Sequence, residues 1–99
     1  MVRHIVLWEL KQEKKPEASR IALELGKKFH ALLGVVDGLR EIEFGRNYGN
    51  GDFDLALTCV FDTREAQSAY QTHPAHLAIK QIIQTLVCRR EAVDYDFSR

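Results

Sequence analysis

The stretch Arg3-His4-Ile5-Val6-Leu7-Trp8-Glu9-Leu10-Lys11 decides the fold. Its aromatic and β-branched residues predict a β-strand. Successive residues of a strand point to opposite sides of a sheet, and here side chains suited to burial occur on both sides. They are His4, Val6, Trp8 and Leu10 on one face, and Ile5 and Leu7 on the other. The pattern therefore predicts a strand that is covered on both faces.

A helix is the next element that the sequence predicts. Pro16 and Glu17 are typical of a helix start, and Gly34 is typical of a helix end. Between them, apolar residues recur at the three- and four-residue spacing of an amphipathic helix. They are Ala18, Ile21, Ala22, Leu25, Phe29, Leu32 and Leu33.

Two further strands surround a glycine-rich loop. The Asp37-Gly38 turn leads into a predicted strand from about Leu39 to Asn47, and a second strand is predicted from about Phe53 to Phe61. The loop between them contains Gly49-Asn50-Gly51, which is typical of a hairpin connection. These residues join two strands and open no helix, so they do not form a phosphate-binding loop.

The second half of the chain predicts helical segments followed by a last strand. Asp62 is the expected N-cap of the first segment, with Glu65 three residues later as in a capping box, and Tyr70 falls on its apolar face. After Pro74 a new segment is predicted, and a strand from Arg90 to Phe97 closes the chain. The inner stripe of that new segment is Ile79, Ile82, Ile83 and Leu86, and its water-facing residues are Lys80, Gln81 and Gln84.

The order β-α-β-β-α-β predicts a ferredoxin-like α+β fold, in which helices cover one face of a four-stranded antiparallel sheet. The 99 residues suffice for a single domain, residues 1–99. The other sheet face would leave Ile5 and Leu7 uncovered, and large apolar patches usually mark an interface. We therefore expect a homodimer that packs through its open sheet faces.

Composition narrows the possible functions. Lys+Arg and Asp+Glu both total 14 and are scattered, so a nucleic-acid-binding surface is not expected. No segment approaches the ~20 apolar residues of a membrane span, and we expect a soluble, cytoplasmic protein. Cys59 and Cys88 are too few and too far apart for a disulfide framework or a zinc site, and we expect both to be buried free thiols.

The segment Tyr70-Gln71-Thr72-His73-Pro74-Ala75-His76 concentrates residues that are able to transfer protons. Pro74 keeps His73 out of the helical region, and if Pro74 begins a helix, His76 is its third residue. The positive potential of a helix N-terminus favours a neutral imidazole, which accepts a proton. The alternative is structural: Tyr70 as a core aromatic residue, His73 as a turn residue and His76 as a solvated histidine.

Metal and nucleophile chemistry find little support. His4, His73 and His76 lack the carboxylate or cysteine spacing of a metal site, and we expect no metal and no cofactor. His30 is expected on the surface. Neither cysteine has a nucleophile signature, and no serine lies in an elbow motif.

Several blocks together resemble one known family. They are Val2-Arg3-His4-Ile5-Val6-Leu7-Trp8, Gly38-Leu39, Gly45-Arg46-Asn47, Asp54-Leu55-Ala56-Leu57, and the Tyr70 to His76 segment. On these residues the sequence resembles the stress-responsive A/B-barrel (Dabb) proteins of the dimeric α+β-barrel superfamily. The resemblance spans nearly the whole chain, and it implies a ferredoxin-like dimer with a pocket between the sheet and the helices of each subunit.

The resemblance also implies candidate chemistry. One plant member of the family is a polyketide cyclase that closes a linear chain by intramolecular aldol condensation without a cofactor. Its catalytic tyrosine and histidine correspond to Tyr70 and His76, and a pocket histidine corresponds to His4. An aldol step needs a base and a donor for the developing oxyanion, the roles expected of His76 and Tyr70. The other expected pocket residues are Val6, Trp8, Phe29 and His73.

The expected ligand is a small hydrophobic or polyketide-like molecule. Two alternatives remain open. One is a non-catalytic ligand-binding or stress-protective dimer, and the other is a cofactor-independent monooxygenase of the same superfamily.

Overall fold

Strand β1 (Val2–Leu10) lies inside a four-stranded sheet, and its side chains alternate between buried and half-buried positions. The computed structural model describes residues 1–99. Strands β3 (Leu55–Phe61) and β4 (Val87–Asp96) flank β1, and β2 (Leu39–Arg46) lies at the edge beside β3. All neighbouring strands pair antiparallel. The ferredoxin-like α+β prediction is confirmed.

Three α-helices connect these strands. Helix α1 spans Ala18–His30, α2 spans Arg64–Gln71 and α3 spans Pro74–Gln84. A 3₁₀ helix at Gln12–Glu17 contains Pro16, so the α-helical geometry begins slightly later than the sequence predicts. Turns continue from α1 to Gly34, whose φ of +83° is the left-handed conformation typical of a glycine stop.

The N-cap of α2 corrects a prediction. Thr63, rather than Asp62, is the N-cap, and its side chain accepts a hydrogen bond from the Ala66 backbone N–H at 3.1 Å. Asp62 instead accepts hydrogen bonds from the Arg40 guanidinium, with N···O distances of 2.6 and 2.5 Å. The local sequence predicts that the Asp62 carboxylate caps α2. It instead forms a long-range ion pair with Arg40 of β2.

Gly38 is required where the chain enters β2. Its φ is +80°, and a Cβ built on it would lie 2.5 Å from the Cβ of Ala66 in α2. Both the backbone angle and the close approach of α2 exclude a larger residue. This glycine therefore allows α2 to sit close to the entrance of β2.

The core fills the space between the helices and the inner face of the sheet. Helix α1 packs against the β2 side. The rings of Phe29 and Phe44 stack with centroids 5.2 Å apart, and each lies 6.0 Å from the ring of Trp8. Aromatic contacts of this kind stabilise a core beyond simple area burial.

The outer face of the sheet has no cover within the chain. Ile5 and Leu7 are half-buried there, and Val93, opposite Ile5 on β4, is 59% exposed. Tyr95 on the same strand is also exposed. Prediction and structure agree that one sheet face carries uncovered apolar side chains.

The two cysteines differ in environment. Cys59 is buried and Cys88 is exposed, so the expectation of two buried thiols is wrong for Cys88. Strand β4 is an edge strand that the helices cover only in part, which leaves Cys88 accessible to solvent. Both thiols are free.

Candidate functional site

A cavity of about 310 Å³ lies between the inner face of the sheet and the helices. Strand β1 contributes three of the side chains that line it, and α1, α2 and α3 contribute one aromatic or imidazole ring each. These residues are His4, Val6, Trp8, Phe29, Tyr70 and His76. The volume falls at the lower end of the ~300–1,000 Å³ that is usual for small-molecule sites. Six of the seven side chains predicted to be catalytic or to line a pocket meet at this cavity.

His4 is held by a carboxylate of the neighbouring strand. It is 3% exposed, and antiparallel pairing of β1 with β4 sets it directly opposite Asp94. His4 Nδ1 lies 2.5 Å from Asp94 Oδ1, and the Gln67 amide donates to the same oxygen at 2.8 Å. Since the carboxylate accepts, Nδ1 of His4 carries the donated proton and Nε2 is left as the second ring nitrogen.

The carboxylate of Asp94 is kept ionised by these two contacts. Partial burial raises its pKa, but the hydrogen bonds from His4 and Gln67 outweigh that effect, and the pKa lies below the ordinary value of an aspartate. Asp94 therefore acts as a fixed negative charge behind His4. This arrangement orients the imidazole ring.

Tyr70 is fully buried, as its position on the apolar face of α2 predicts. Its ring lies edge-on to that of His4, with centroids 6.3 Å apart, and tilts against Phe61 at 5.1 Å. The hydroxyl has no hydrogen-bond partner, which is rare for a buried polar group and costs ~1–3 kcal/mol. Burial, and then the neighbouring Cys59 thiol, raise the pKa of this phenol above its ordinary value, so it remains a donor.

His76 sits at the start of α3, whose first residue is Pro74, as the sequence predicts. Its ring packs against Tyr70 with centroids only 4.1 Å apart, and its Nδ1 lies 3.4 Å from the carbonyl oxygen of Gln71. A carbonyl only accepts, so Nδ1 carries the proton in this long contact and Nε2 is the basic nitrogen.

The pKa of His76 lies below the ordinary value of a histidine. Burial of the ring is the largest cause, and the positive charges of Lys80 and Arg90, with His4, act in the same direction. The Gln71 carbonyl opposes them. His76 is therefore neutral near pH 7, with burial of its ring as the main cause.

His73 does not line the cavity and has a different place in the fold. It is the N-cap of α3, and its Nδ1 accepts a hydrogen bond from the Ala75 backbone N–H at 3.1 Å. Because Pro74 holds His73 in an extended conformation with ψ of 133°, its ring folds back onto the helix end. His30 is exposed on α1, as predicted.

Sequence reasoning missed several polar residues of this region. Asp94 and Gln67 are found only once the register of β1 and β4 and the position of α2 are known. Lys80 was predicted to face water; it is exposed but also lines the cavity, and Arg90 lines it from β4. The signal that was available is parity: Arg90 and Asp94 each lie two residues from Ala92 along β4 and share its inner face.

Two further features bear on the class of site. No group of three or more histidine, cysteine, aspartate or glutamate side chains is arranged to hold a metal ion. None of the three α-helices combines the length and the hydropathy needed to cross a membrane.

The antiparallel sheet, the helices on one of its faces and the cavity between them define a ferredoxin-like α+β protein with an internal cavity. The chain belongs to the stress responsive A/B barrel domain family, whose model matches residues 2–97. Among proteins with curated descriptions, none matches the sequence.

Solved structures show the same fold. A dimeric protein of unknown function from Bacteroides fragilis NCTC 9343 is 32% identical and superposes with a TM-score of 0.87, over 97% of this chain and 95% of that one. A dimeric ferredoxin-like protein of unknown function from Thermobifida fusca YX is 26% identical, with a TM-score of 0.82 over 97% and 90% of the two chains. A Dabb family protein from Mesorhizobium loti is 23% identical, with a TM-score of 0.74 over 99% and 97%, and shows the shared fold alone.

Proposed function

We propose that the cavity binds a small carbonyl compound and that His76 removes a proton from the carbon beside the carbonyl group. The observation that carries the proposal is the meeting of His4, Tyr70 and His76 at one cavity of about 310 Å³. Burial keeps His76 neutral and Tyr70 protonated, which are the states that a base and a donor need. A cluster in which the pKa values of neighbouring side chains are shifted in opposite directions is typical of functional sites.

The proposed step balances without a cofactor. The C–H bond breaks, its proton goes to Nε2 of His76, and the electron pair moves to the carbonyl oxygen as an enolate. The Tyr70 hydroxyl, which has no partner within the chain, donates a hydrogen bond to that oxygen. The proton on His76 exchanges with solvent, and transfer of the solvent-derived proton from His76 to carbon completes an exchange reaction.

The same groups suit the C–C bond-forming step of an intramolecular aldol condensation. The enolate carbon attacks a second carbonyl carbon of the same chain, a C–C bond forms, and His76 returns its proton to the resulting alkoxide. Family membership supports this reaction class, since a cyclase of the Dabb family performs such a closure with a tyrosine and a histidine at the corresponding positions. General-base catalysis contributes ~10²–10⁴-fold, so the substrate must already have an acidic C–H bond.

His4 is assigned the role of a positioning residue. Asp94 and Gln67 lock its ring beside Tyr70, which restricts where the ligand oxygen and the Tyr70 ring lie. Rigid support of this kind raises the effective concentration of reacting groups.

Solvent exchange in heavy water tests the proposal without knowledge of the natural substrate. Valerophenone, an aromatic ketone with a short alkyl chain, is incubated with the protein, and deuteration beside its carbonyl is followed by NMR. We expect the wild type to accelerate exchange and His76→Gln to lose ~10²-fold of that acceleration. His30→Gln, on the exposed surface of α1, is the matched control and should retain the wild-type rate.

Two results would count against proton transfer. Exchange no faster than in buffer is one, and an undiminished rate in a folded His76→Gln variant is the other. Ligand binding at the cavity without exchange would instead support the alternative of a non-catalytic binding protein.

We further propose that the chain forms a homodimer through its open sheet face. The similar proteins from Bacteroides fragilis and Thermobifida fusca are described as dimeric. The open face of this chain carries half-buried Ile5 and Leu7 beside exposed Val93. Burial of such side chains stabilises association by ~25 cal/mol per Å² before the costs of ordering. A charge placed in this patch should break the dimer.

Light scattering on a sizing column measures the outcome. Val93→Lys should shift the wild-type dimer to monomer, because a lysine in the centre of the interface loses its hydration. Leu23→Lys is the matched control, since Leu23 is 62% exposed, close to the 59% of Val93, but lies on α1. A wild-type protein that is monomeric at micromolar concentration, or equal behaviour of the two variants, would refute this interface.

A further inference from the structure

Two positive side chains stand at the cavity without an ion-pair partner. Lys80 reaches it from α3 and Arg90 from β4, and both are exposed. Neither forms an ion pair, whereas five other arginines do. Those five are Arg20, Arg40, Arg64, Arg89 and Arg99. The two cations at the cavity are thus free to meet a charge that comes from outside.

The lining contains no carboxylate to balance these charges. Asp94 lies outside the lining; the charge of Arg90 helps to lower its pKa, but this carboxylate accepts its hydrogen bonds from His4 and Gln67 rather than from Arg90. The positive potential reaches the reactive groups, since Lys80 and Arg90 both lower the pKa of His76, after the larger effect of burial. A cleft that carries one sign of charge concentrates ligands of the opposite sign.

The deeper walls are apolar and aromatic. Trp8, Phe29, Leu57 and Val6 line the cavity from β1, β3 and α1, and all four are buried, although Trp8 lies directly opposite Arg90 across the β1–β4 pairing. Such walls favour a hydrocarbon body, while a charged group placed against them would lose its hydration without compensation. The cavity therefore combines two exposed cations with a buried apolar wall that begins beside Arg90.

We infer that the cavity selects a small organic monoanion, with its carboxylate between Lys80 and Arg90 and its apolar body against Trp8 and Phe29. This inference rests on the proposed ligand-binding function and names its substrate class. A guanidinium and an ammonium suit a carboxylate through charge-assisted hydrogen bonds. The carboxylate end of the ligand then lies near the entrance, and the carbon chain passes His76 and Tyr70.

Matched probes separate charge from shape. Para-butylbenzoate and para-butylbenzamide share one body and differ in charge, and their binding is followed by chemical shifts of the backbone amides. We expect the benzoate to bind about 10-fold more tightly than the benzamide. Raising the salt concentration from about 0.05 M to about 0.3 M should weaken binding of the benzoate several-fold and leave binding of the benzamide unchanged.

Substitutions locate the effect. Lys80→Gln and Arg90→Gln should each reduce benzoate affinity about 3- to 10-fold while affinity for the benzamide stays within about 2-fold. Lys27→Gln is the matched control, because Lys27 is an exposed helical lysine of α1 outside the cavity. It should bind both probes as the wild type does.

The possible failures are distinguishable. Equal affinity for the two probes would overturn anion selection and leave the pocket itself intact. Failure of the folded protein to bind either probe at millimolar concentration would contradict both the inference and the proposed ligand site. Shift changes centred on residues outside the cavity, or equal loss in Lys27→Gln, would also overturn the inference.

Discussion

The space beneath the helices divides into two regions that share one sheet face but are built differently. Under α1, Leu25 is 2% exposed, and Phe29 and Phe44 stack closely. Under α2 and α3, Tyr70 and His76 border a cavity of about 310 Å³ instead of filling it. The first region is packed with apolar side chains, and the second keeps polar groups around empty volume.

The difference shows where stability and chemistry reside. A close-packed apolar region gains dispersion and burial energy from every methylene group. A cavity forgoes those contacts, and the unpaired hydroxyl of Tyr70 adds a further cost. Groups that destabilise a fold are expected where function requires them, and α1 supplies the packing that offsets the cost.

The largest effect should come from the packed region. Leu25→Ala removes a buried side chain of α1 and should lower the free energy of unfolding by ~2–5 kcal/mol, because the surrounding residues fill the space left by the leucine only in part. Urea unfolding measures it. The control is Leu23→Ala on the exposed side of the same helix, expected to change stability by less than ~0.5 kcal/mol. Equal effects of both changes would contradict the division into two regions.

A smaller effect should appear in the pH dependence of the free energy of unfolding, through His76 at the cavity. The folded pKa of His76 lies below its unfolded value of about 6.5, so the unfolded state binds the proton more readily. The stability that neutral His76 contributes is fully present above pH ~6.5. It is lost as the pH drops below that value toward the folded pKa. His76→Gln removes this contribution and should lose less stability on acidification than the wild type does.

Unfolding experiments at about pH 7.5 and pH 5 provide the comparison. His30→Gln, a change at an exposed histidine, should follow the wild type. If His76→Gln lost as much stability as the wild type over this range, His76 would not be the buried neutral base that the cavity geometry indicates.

The sequence is sufficient for features that depend on local period. Alternation in β1 predicts which side chains face the helices, and the phase of α2 predicts the burial of Tyr70. Pro74 likewise predicts the start of α3. Each of these depends on residues within one or two turns of the chain.

Features that depend on tertiary pairing could not be predicted in the same way. The pairing of His4 with Asp94 spans 90 residues and requires the register of β1 and β4. The loss of Asp62 from the α2 cap follows from Arg40 on another strand, and the exposure of Cys88 follows from its place on an edge strand. Lys80 has the helical phase of a surface residue, and only the position of β4 makes it part of a cavity.

Tyr70→Phe tests the central claim most directly, because it removes one oxygen atom and leaves the ring. We predict that the variant deuterates valerophenone at least ~10-fold more slowly than the wild type, since the enolate loses its donor. Its free energy of unfolding should change by less than ~1 kcal/mol, because the hydroxyl has no strong hydrogen-bond partner and lies beside the Cys59 thiol, which is a weak hydrogen-bonding group. A folded Tyr70→Phe protein that exchanges at the wild-type rate would contradict the account.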